Sequence, residues 1–323
     1  MSHQSQLAKR RNKGISNVSF ACRFLSVLVF TIAGLVVCSE LASILHCDNV
    51  CKTQQTKING PDNQKQLHLI HPSSCQVGDT SVRFDQIYDT GGWGSVLNSS
   101  IHGFYDDANW PPKLRLSFSG GGSNRGTSTK TSLAILKQLI AEHNISSMLD
   151  VPCGDVNWIF DSYETDFLPM YVGLDIVRSV IQLNNKRFTY HANKHFTWWD
   201  GVNCSFPWHR LNGTLQPFDM IHSRDIIQHL QLKDGQRFLC NVLLSGTRWF
   251  VTTTFNETGN KDILQGDWYA NNLNAEPFNF PDVGKCKETH PSLEPDMTCV
   301  YDLSEDWASI YRKENCKDFT FCQ

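Results

Sequence analysis

Short apolar runs alternate with longer helical segments between residues 119 and 254, and no other feature constrains the fold as strongly. Four runs have the length of buried strands, at 147–151, 171–176, 218–222 and 248–254. Helices are predicted at 127–143, where the leucines and isoleucines share one face, and within 176–187 and 225–244. Strands that alternate with helices indicate a mostly parallel sheet covered on both faces, so the sequence predicts an α/β domain.

Acidic residues stand where two of these strands are predicted to end. The first run ends near Asp150, and Gly154 permits a tight turn after it. The second run ends near Asp175. Ligands of such sheets bind at the carboxyl ends of the strands, where a carboxylate accepts hydrogen bonds from ribose hydroxyls. Each acid alone is as well explained as a cap of the next helix, but the pair with the glycine turn favours a nucleoside site.

The motifs of this region resemble those of class I S-adenosylmethionine (SAM)-dependent methyltransferases. The chain carries LDVPCGD at 149–155, YVGLDIV at 171–177, FDMIHSRDIIQHL at 218–230 and RWFVTTTF at 248–255. They are similar to one branch of that class, which reads LDVGCGD, YxGxDI and FDLxxxRDxxQHL and then continues with NxDIxxG, NL and PF. Those last pieces stand here at 260–266, 272–273 and 277–278. The resemblance covers about half the chain, and it implies a Rossmann-like methyltransferase fold and SAM as the cofactor.

The resemblance also implies which residues hold the cofactor. Asp150 and Gly154 are expected to flank its methionine moiety, and Asp175 is expected to hold the ribose. Asp200 directly follows the FTWW segment at 196–199 and is expected on the adenine side. A Gly/Ser loop precedes the first helix in the branch, and Ser123 in the matching loop completes the predicted cofactor site.

One position of the first motif departs from the family pattern. Pro152 stands where the family usually has glycine, and Val156 where many members have another. Proline fixes φ at about −65° and lacks an N–H, so the turn at Pro152 is not left-handed. Gly154 keeps the position at which the backbone comes closest to a ligand. The departure leaves open a non-catalytic binding module on a methyltransferase scaffold.

The segment after the 218–222 run supplies the candidates for catalysis, Arg224, Asp225 and His229. A hydroxyl acceptor must lose a proton, and an imidazole held by a carboxylate can remove it near neutral pH. Asp225 and His229 are expected to share one helical face, with Asp225 orienting the ring. The structural alternative is that Asp225 caps the helix and His229 only packs. Asn260 and Asp262 follow the next strand and are candidates for contacting the acceptor.

The first forty residues predict a membrane anchor. Residues 24–39 carry no charge, and with 20–23 they reach about the 20 residues that a membrane helix needs. Every charged residue before Glu40 is basic, so the N-terminus is expected in the cytosol and the remainder in the lumen. The short apolar core suits an early secretory membrane such as the Golgi. The alternative is a signal peptide cleaved near Cys38, but the long basic region before the apolar run favours an anchor.

The predicted organisation has four parts along the chain. A cytosolic tail (1–19) and a transmembrane anchor (20–40) precede a polar stem (41–83) without helical or strand periodicity. A lumenal methyltransferase domain with a disulfide-bearing C-terminal extension occupies 84–323. N-x-[ST] sequons in the lumenal part agree with this topology; they begin at Asn98, Asn144, Asn203, Asn212 and Asn256.

Cysteines cluster at both ends of the lumenal part. In an oxidising lumen they are expected to form disulfides, with one cysteine left over. The sequence does not determine which cysteines pair. Metal ligation is the alternative, but neither end has paired C-x2-C spacing. The cysteines concerned are Cys47, Cys51, Cys75, Cys286, Cys299, Cys316 and Cys322.

The charge balance argues against nucleic acid as a partner. The chain has 29 basic and 32 acidic residues, and its basic cluster lies in the cytosolic tail, so the lumenal part is acidic. A phosphate backbone needs a basic stripe, which the lumenal part lacks. The compartment makes a glycan hydroxyl the first expectation for the acceptor and a side chain of a secreted protein the second.

Two other enzyme classes suit the topology. The SGGGSNRGTSTK loop before a helix resembles a phosphate-binding loop, which would suit a sulfotransferase with a phosphorylated adenosine donor. Threonine stands after Gly126 where that motif requires lysine. A Golgi glycosyltransferase usually holds its metal and sugar nucleotide with a DxD triplet, and the chain has none. Methyl transfer explains more of the motifs than either alternative.

Overall fold

The chain forms eleven strands and five α-helices in the part that the structure describes. The structure is a computed structural model, and it describes residues 53–57, 68–72, 79–93, 117–124, 126–160, 168, 170–289 and 296–319. The strands are β1 (Thr53–Lys57), β2 (His68–Pro72), β3 (Ser147–Asp150), β4 (Met170–Asp175), β5 (Lys194–Trp198), β6 (Trp208–Leu211), β7 (Thr214–Gln216), β8 (Met220–Ser223), β9 (Trp249–Phe255), β10 (Lys285–Glu288) and β11 (Asp296–Asp302). The helices are α1 (Asp79–Thr90), α2 (Thr127–His143), α3 (Arg178–Arg187), α4 (Leu232–Leu244) and α5 (Asp306–Asn315).

A seven-stranded sheet has the spatial order β10-β11-β9-β8-β3-β4-β5. The five strands from β9 to β5 run parallel, and β11 lies antiparallel to both of its neighbours. The expected α/β, Rossmann-like sheet is therefore confirmed. The order reverses at β3, because β4 lies on one side of it and β8 on the other. In open parallel sheets ligands bind at this point, outside the carboxyl ends of the strands.

Successive residues of the central strands pack on opposite faces of this sheet. Met148 of β3 belongs to one buried cluster with Leu136 of α2, whereas Leu149 belongs to another with Phe238 of α4. A strand that is buried on both faces has a continuous apolar run instead of an alternating one. This burial explains why the strands appear in the sequence as short apolar runs.

The first predicted helix has the expected bounds, whereas the third is shorter than predicted. α2 ends where Asn144 adopts a φ of 51° and its N–H bonds to the carbonyl of Ile140. α4 begins only at Leu232, since Asp225 has a φ of 58° and Ile227–His229 form a 3-10 turn. A left-handed residue interrupts a right-handed helix. The expectation that Asp225 and His229 share a helical face is therefore wrong.

Two strands and the start of a helix lie within 41–83, where the sequence predicts a stem. β1 and β2 pair antiparallel, and β2 also pairs with β6, so that a second sheet has the order β1-β2-β6-β7. Leu69 of β2 is fully buried in the larger core cluster. The compact unit accordingly begins at Thr53. The sequence does not indicate these strands because TQQTK in β1 has no apolar residue and HLIHP in β2 has only two adjacent ones, so neither shows a strand period.

The predicted cytosolic tail and membrane anchor lie outside the described residues. Within those residues, no helix combines the length and apolar character that crossing a bilayer requires. Several predicted lumenal markers also fall outside the described ranges; these are Asn98, Cys47, Cys51, Cys75 and Cys322.

Disulfides join elements near the C-terminus. Cys286 of β10 bonds to Cys299 of β11, and Cys240 of α4 bonds to Cys316 after α5. Three of these four cysteines belong to the predicted set. Cys240 does not, because its position inside an apolar helix face suggests packing instead of bonding. Cys153 is a buried free thiol in the described part.

Candidate functional site

A cavity of about 570 Å³ lies at the carboxyl ends of the central strands, where the strand order reverses. Its wall contains residues of α1, of the Gly/Ser loop and of the turns after β3, β4, β5 and β8. All eight residues that the sequence predicts for the site line this cavity: Ser123, Asp150, Gly154, Asp175, Asp200, Arg224, Asp225 and His229. The structure thus brings the predicted residues together, while their individual contacts differ from several of the expected ones.

Asp150 is held by two buried side chains from neighbouring strands. Its Oδ2 accepts a hydrogen bond of 2.5 Å from the hydroxyl of Tyr171, and its Oδ1 lies 2.6 Å from Nδ1 of His222. Asp150 is 3% exposed and His222 is 2% exposed. A carboxylate oxygen accepts, so Nδ1 of His222 donates. The site contains a histidine oriented by an aspartate, as expected. The pair is His222 with Asp150, and not His229 with Asp225.

Gly154 occupies a position that only glycine fits well. Its φ is +54°, and a Cβ there would collide with the hydroxyl of Ser119. Its N–H donates to Oδ2 of Asp175 at 2.9 Å, and its carbonyl accepts from Asn184 at 2.7 Å. The sequence predicts that the backbone at Gly154 comes close to a ligand. In this structure the group closest to that position is the side chain of Ser119.

Asp155 ties the segment before the Gly/Ser loop to the turn after β3. Its Oδ1 accepts from the hydroxyl of Ser117 at 2.9 Å, and its Oδ2 accepts from the N–H of Phe118 at 2.8 Å. Its own N–H donates to the hydroxyl of Ser119, which also accepts from Tyr88 of α1. Burial raises the pKa of the Asp155 carboxyl. No motif in the sequence indicates a role for these residues, because their contacts join distant segments.

Asp175 stands at the end of β4 and is 2% exposed. Its two oxygens accept from the N–H groups of Gly154 and Val177, each at 2.9 Å. Burial raises its pKa to about 6, although these two hydrogen bonds oppose the rise. Each carboxylate oxygen has a second lone pair, so the side chain keeps acceptor capacity toward the cavity.

Asp200 shapes the turn after β5. Its Oδ1 accepts from the N–H groups of Val202 and Asn203 at 3.0 Å, and its Oδ2 accepts from the Asn203 side chain at 2.8 Å. The residue is fully buried. The turn also places Trp199 in the cavity wall. Asp200 therefore lines the cavity while it holds the conformation of this turn.

The Gly/Ser loop forms a short 3-10 turn at Gly121–Ser123, in which the N–H of Ser123 donates to the carbonyl of Gly120. A Cβ on Gly122 would lie 3.4 Å from Oδ2 of Asp225 and 3.8 Å from Nη2 of Arg224. The absence of side chains thus lets the loop pass close to the residues that follow β8. Ser123 lines the cavity at the end of this turn.

Arg224 and Asp225 form an ion pair directly after β8. Nη1 of Arg224 lies 3.0 Å from Oδ2 of Asp225, and the guanidinium carbon lies 5.4 Å from the centre of the Trp158 ring. The N–H of Asp225 donates to the hydroxyl of Thr253 at 2.9 Å. The start of α4 is instead bonded by Asp262, whose Oδ1 accepts from the N–H of Leu232 at 3.0 Å. Asp225 is therefore no helix cap, and the structural alternative for it is also wrong.

His229 is positioned by a main-chain carbonyl. Its Nδ1 lies 2.8 Å from the carbonyl oxygen of Asp267, and its ring centre lies 4.5 Å from that of Trp93, with the two ring planes tilted by 37°. Because a carbonyl only accepts, Nδ1 carries the proton and the neutral ring has its lone pair on Nε2. Burial lowers the pKa of the imidazole, and the Asp267 carbonyl and the Asp225 charge only partly offset this. The ring is thus neutral near pH 7, with Nε2 able to accept a proton.

Aromatic side chains line the cavity near His229. Trp93 packs against Phe84 and Tyr88 of α1, and Trp268 packs edge-on against Phe255. Trp93 and Trp268 both line the cavity, and Trp268 is 44% exposed. The wall of the cavity near His229 is therefore partly aromatic.

Asn260 has a structural role instead of the expected ligand contact. Its side-chain amide donates to the carbonyls of Asn272 and Glu276 at 2.8 Å, and its Oδ1 accepts from the N–H of Asn272 at 2.8 Å. These contacts use both ends of the amide, so Asn260 closes the 260–276 loop. Asp262 bonds the start of α4 as described above. Neither residue lines the cavity.

The described lining of the cavity is acidic. Arg224 is its one arginine or lysine side chain, whereas six aspartates contribute to it: Asp150, Asp155, Asp175, Asp200, Asp225 and Asp296. Like charges crowded in a partly buried space favour a ligand of the opposite sign. The electrostatics of the cavity therefore favour a cationic ligand over a polyanion.

No protein-family model and no curated protein sequence matches the chain. Among solved structures it is similar to magnesium protoporphyrin IX methyltransferase from Synechocystis PCC 6803 with bound SAM, at 11% identity and a TM-score of 0.43, over 70% of this chain and 97% of that one. It is also similar to N-methyltransferase NodS from Bradyrhizobium japonicum WM9 in complex with S-adenosyl-L-homocysteine, at 10% identity and a TM-score of 0.42, over 57% of this chain and 91% of that one.

A third similar structure is the methyltransferase domain of bacterial CtHen1, at 13% identity and a TM-score of 0.40, over 55% of this chain and 100% of that one. Likeness of this size assigns neither a family nor an activity. Any function must therefore rest on the cavity and on the residues that line it.

Proposed function

We propose that this chain is a SAM-dependent methyltransferase whose acceptor is a hydroxyl group. The observation that carries the proposal is the acidic cavity at the switch point of the sheet, with buried Asp175 at the end of β4. SAM is a sulfonium cation with a ribose, and the cavity offers negative charge together with a carboxylate at the strand position suited to ribose hydroxyls. The volume of about 570 Å³ is within the range of cofactor pockets.

The lining residues fit the parts of this cofactor. Asp175 has acceptor capacity left for the two ribose hydroxyls, and the Trp199–Asp200 turn provides an aromatic wall for adenine. Gly154 lies at the cofactor's amino-acid end in this proposal, and Ser123 faces the same end. Asp150 takes part through the Tyr171 and His222 contacts, which fix the floor of the cavity.

When bound, SAM supplies a methyl group on a positively charged sulfur. The protein has to bring the acceptor oxygen into line with that methyl and remove the hydroxyl proton. In this proposal His229 removes the proton at Nε2, while the Asp267 carbonyl keeps the ring in the required tautomer. Arg224 and Asp225 contribute to the wall next to this histidine.

The same lining disfavours the sulfotransferase alternative. Its phosphorylated adenosine donor carries several negative charges, which need several basic side chains or a lysine-bearing phosphate loop. The described lining has one arginine against six aspartates. A non-catalytic module on the same scaffold remains the second candidate, and it differs from the enzyme by binding SAM without turnover.

We further propose that the enzyme acts in the secretory pathway. In this proposal a single N-terminal helix anchors it in the Golgi membrane with the catalytic domain in the lumen. The basic tail, the uncharged run at 24–39 and the sequons support this topology. The acceptor is then a glycan hydroxyl, with a side chain of a secreted protein as the alternative.

Calorimetric titration of the purified full chain tests the proposal. SAM should bind, and the phosphorylated adenosine sulfate donor should not. Asp175→Ala should weaken SAM binding by about tenfold to a thousandfold in a folded protein, because it removes charge-assisted hydrogen bonds. Unchanged affinity in that variant would show that SAM does not bind at the end of β4. Binding of the sulfate donor without binding of SAM would contradict the assignment as a methyltransferase.

The raised pKa of Asp175 gives the proposal a pH signature. The carboxyl becomes protonated as pH falls through about 6, so its interaction with the ribose loses the negative charge. SAM affinity should therefore fall between pH 7.5 and 5.5. Asp175→Asn resembles the protonated form and should bind SAM weakly with little dependence on pH over this interval. A variant with the same pH dependence as the wild type would show that another group causes it.

A further inference from the structure

Arg224 is a buried cation whose hydrogen bonds are incomplete. Its side chain is 5% exposed, and within the described structure Nε and Nη1 have no hydrogen-bond acceptor. The ion pair with Asp225 provides an attractive charge 3.0 Å from Nη1, but without the geometry of a hydrogen bond. A guanidinium has five N–H donors, and donors left unsatisfied in a buried position are costly.

The surroundings of Arg224 open toward the ligand space. Its guanidinium lies against the Trp158 ring and close to Gly122, and all three residues line the cavity. Because Gly122 has no side chain, the space beside Nη2 is not filled by the loop. The cation–π contact with the Trp158 ring helps to hold the guanidinium at this position. The arginine is therefore held in place with donors available to a ligand.

We propose that Arg224 binds the carboxylate of a ligand in this cavity. A carboxylate matches the planar fork of a guanidinium and carries a single negative charge. A doubly charged phosphate would be repelled more strongly by the six aspartates of the lining. The inference rests on the proposed function, in which two molecules can supply the carboxylate. One source is the amino-acid end of SAM, and the other is an acidic acceptor such as a uronic acid.

Two substitutions and a control separate the contribution of Arg224 from general damage. Arg224→Met removes the charge but keeps an unbranched apolar stem, and Arg224→Lys keeps the charge but removes the planar fork. Arg210→Met is the control, because Arg210 is exposed on β6, where it donates to the carbonyl of Gly213. Thermal unfolding of all variants identifies any that fail to fold, and Arg224→Lys remains informative if Arg224→Met is unstable.

Titration with two nucleosides tests the cofactor as the source. SAM carries the carboxylate, whereas 5′-deoxy-5′-methylthioadenosine lacks the whole amino-acid end. If SAM supplies the carboxylate, Arg224→Met should weaken SAM binding by about tenfold to a hundredfold and change methylthioadenosine binding by less than about twofold. Arg224→Lys should recover only part of the loss. Equal losses for both nucleosides would mean general damage to the cavity and would count against the inference.

Titration with two acceptors tests the other source and does not depend on SAM. The probes are an oligosaccharide that contains glucuronic acid and the same oligosaccharide with its carboxyl groups reduced to alcohols. If the acceptor supplies the carboxylate, wild-type protein should prefer the acidic form by about tenfold or more, and Arg224→Met should lose this preference. If neither SAM nor the acidic oligosaccharide responds selectively to Arg224 substitution, the inference is wrong. If wild-type protein binds neither nucleoside, the proposed function fails. The oligosaccharide titration still tests whether Arg224 binds a carboxylate.

Discussion

Two histidines line the same cavity, and they are held in opposite ways. His222 lies on the floor, 2% exposed, with Nδ1 on the carboxylate of Asp150, which also accepts from Tyr171. His229 lies at the wall, packed against Trp93, and its Nδ1 bonds to the neutral main-chain carbonyl of Asp267. The first contact is made to a carboxylate and belongs to a network that links three adjacent strands, so it contributes to the framework. The second fixes a tautomer without adding charge, which suits a group that exchanges protons.

The largest effect that tests this contrast is the loss of turnover in His229→Ala. Removing a positioned general base should lower turnover by about 100- to 10,000-fold, while SAM still binds. The measurement is transfer of a labelled methyl group to a mixture of secretory glycans. His143→Ala is the control, because His143 is exposed and stacks on Trp249, neither of which lines the cavity. If His229→Ala has normal turnover and a folded His222 variant loses turnover, His222 is the general base and His229 belongs to the framework.

The floor histidine should show its contribution in stability. Asp150→Asn removes the charge that pairs with His222 and leaves Tyr171 and His222 to share a neutral amide, which should cost about 2–4 kcal/mol of unfolding free energy. Chemical denaturation measures this difference.

Asp267→Asn is the matched substitution at the wall. His229 uses the main-chain carbonyl of Asp267, so this change leaves its contact in place. It removes only a half-exposed ion pair with Arg83 at 3.8 Å, worth less than about 0.5 kcal/mol. Equal losses of stability in the two variants would contradict the distinction between framework and wall.

The smallest expected effect concerns Asp225. Because the Asp267 carbonyl orients His229, Asp225→Asn should change turnover per folded molecule by less than about threefold. Asparagine also tolerates the φ of 58° at this position, so the local backbone should survive the change. Steady-state kinetics on the two proteins provide the comparison. A loss as large as that of His229→Ala would restore Asp225 as the orienting residue.

The central fold was predictable because its signals are local. The buried strands appear as apolar runs, and α2 has one apolar face and ends at the expected residue. Motif order then located the site, and all eight predicted residues line one cavity.

The pairing of Asp150 with His222 was not predictable, because it depends on the register between β3 and β8, in which these two residues are direct neighbours. The positive φ of Asp225 was likewise invisible, since helical spacing assumes that the backbone continues regularly. The partner of Cys316 was missed for a related reason, because the apolar spacing around Cys240 indicates only a core position. In each case a contact between distant segments decides the outcome.

If the domain is lumenal, the hydrogen bond between Asn203 and Asp200 means that folding and N-glycosylation compete for the same side chain. The amide nitrogen of Asn203 is the atom to which an N-linked glycan would be attached, and in the folded chain it donates to the buried carboxylate of Asp200 at 2.8 Å. Sugar transfer acts on an accessible asparagine, so a chain that folds quickly would hold this half-buried amide on Asp200 before modification. A chain modified first would have to close the β5 turn around a bulky substituent. Occupancy at Asn203, compared with exposed Asn212, would then record how fast this half of the cavity forms during synthesis.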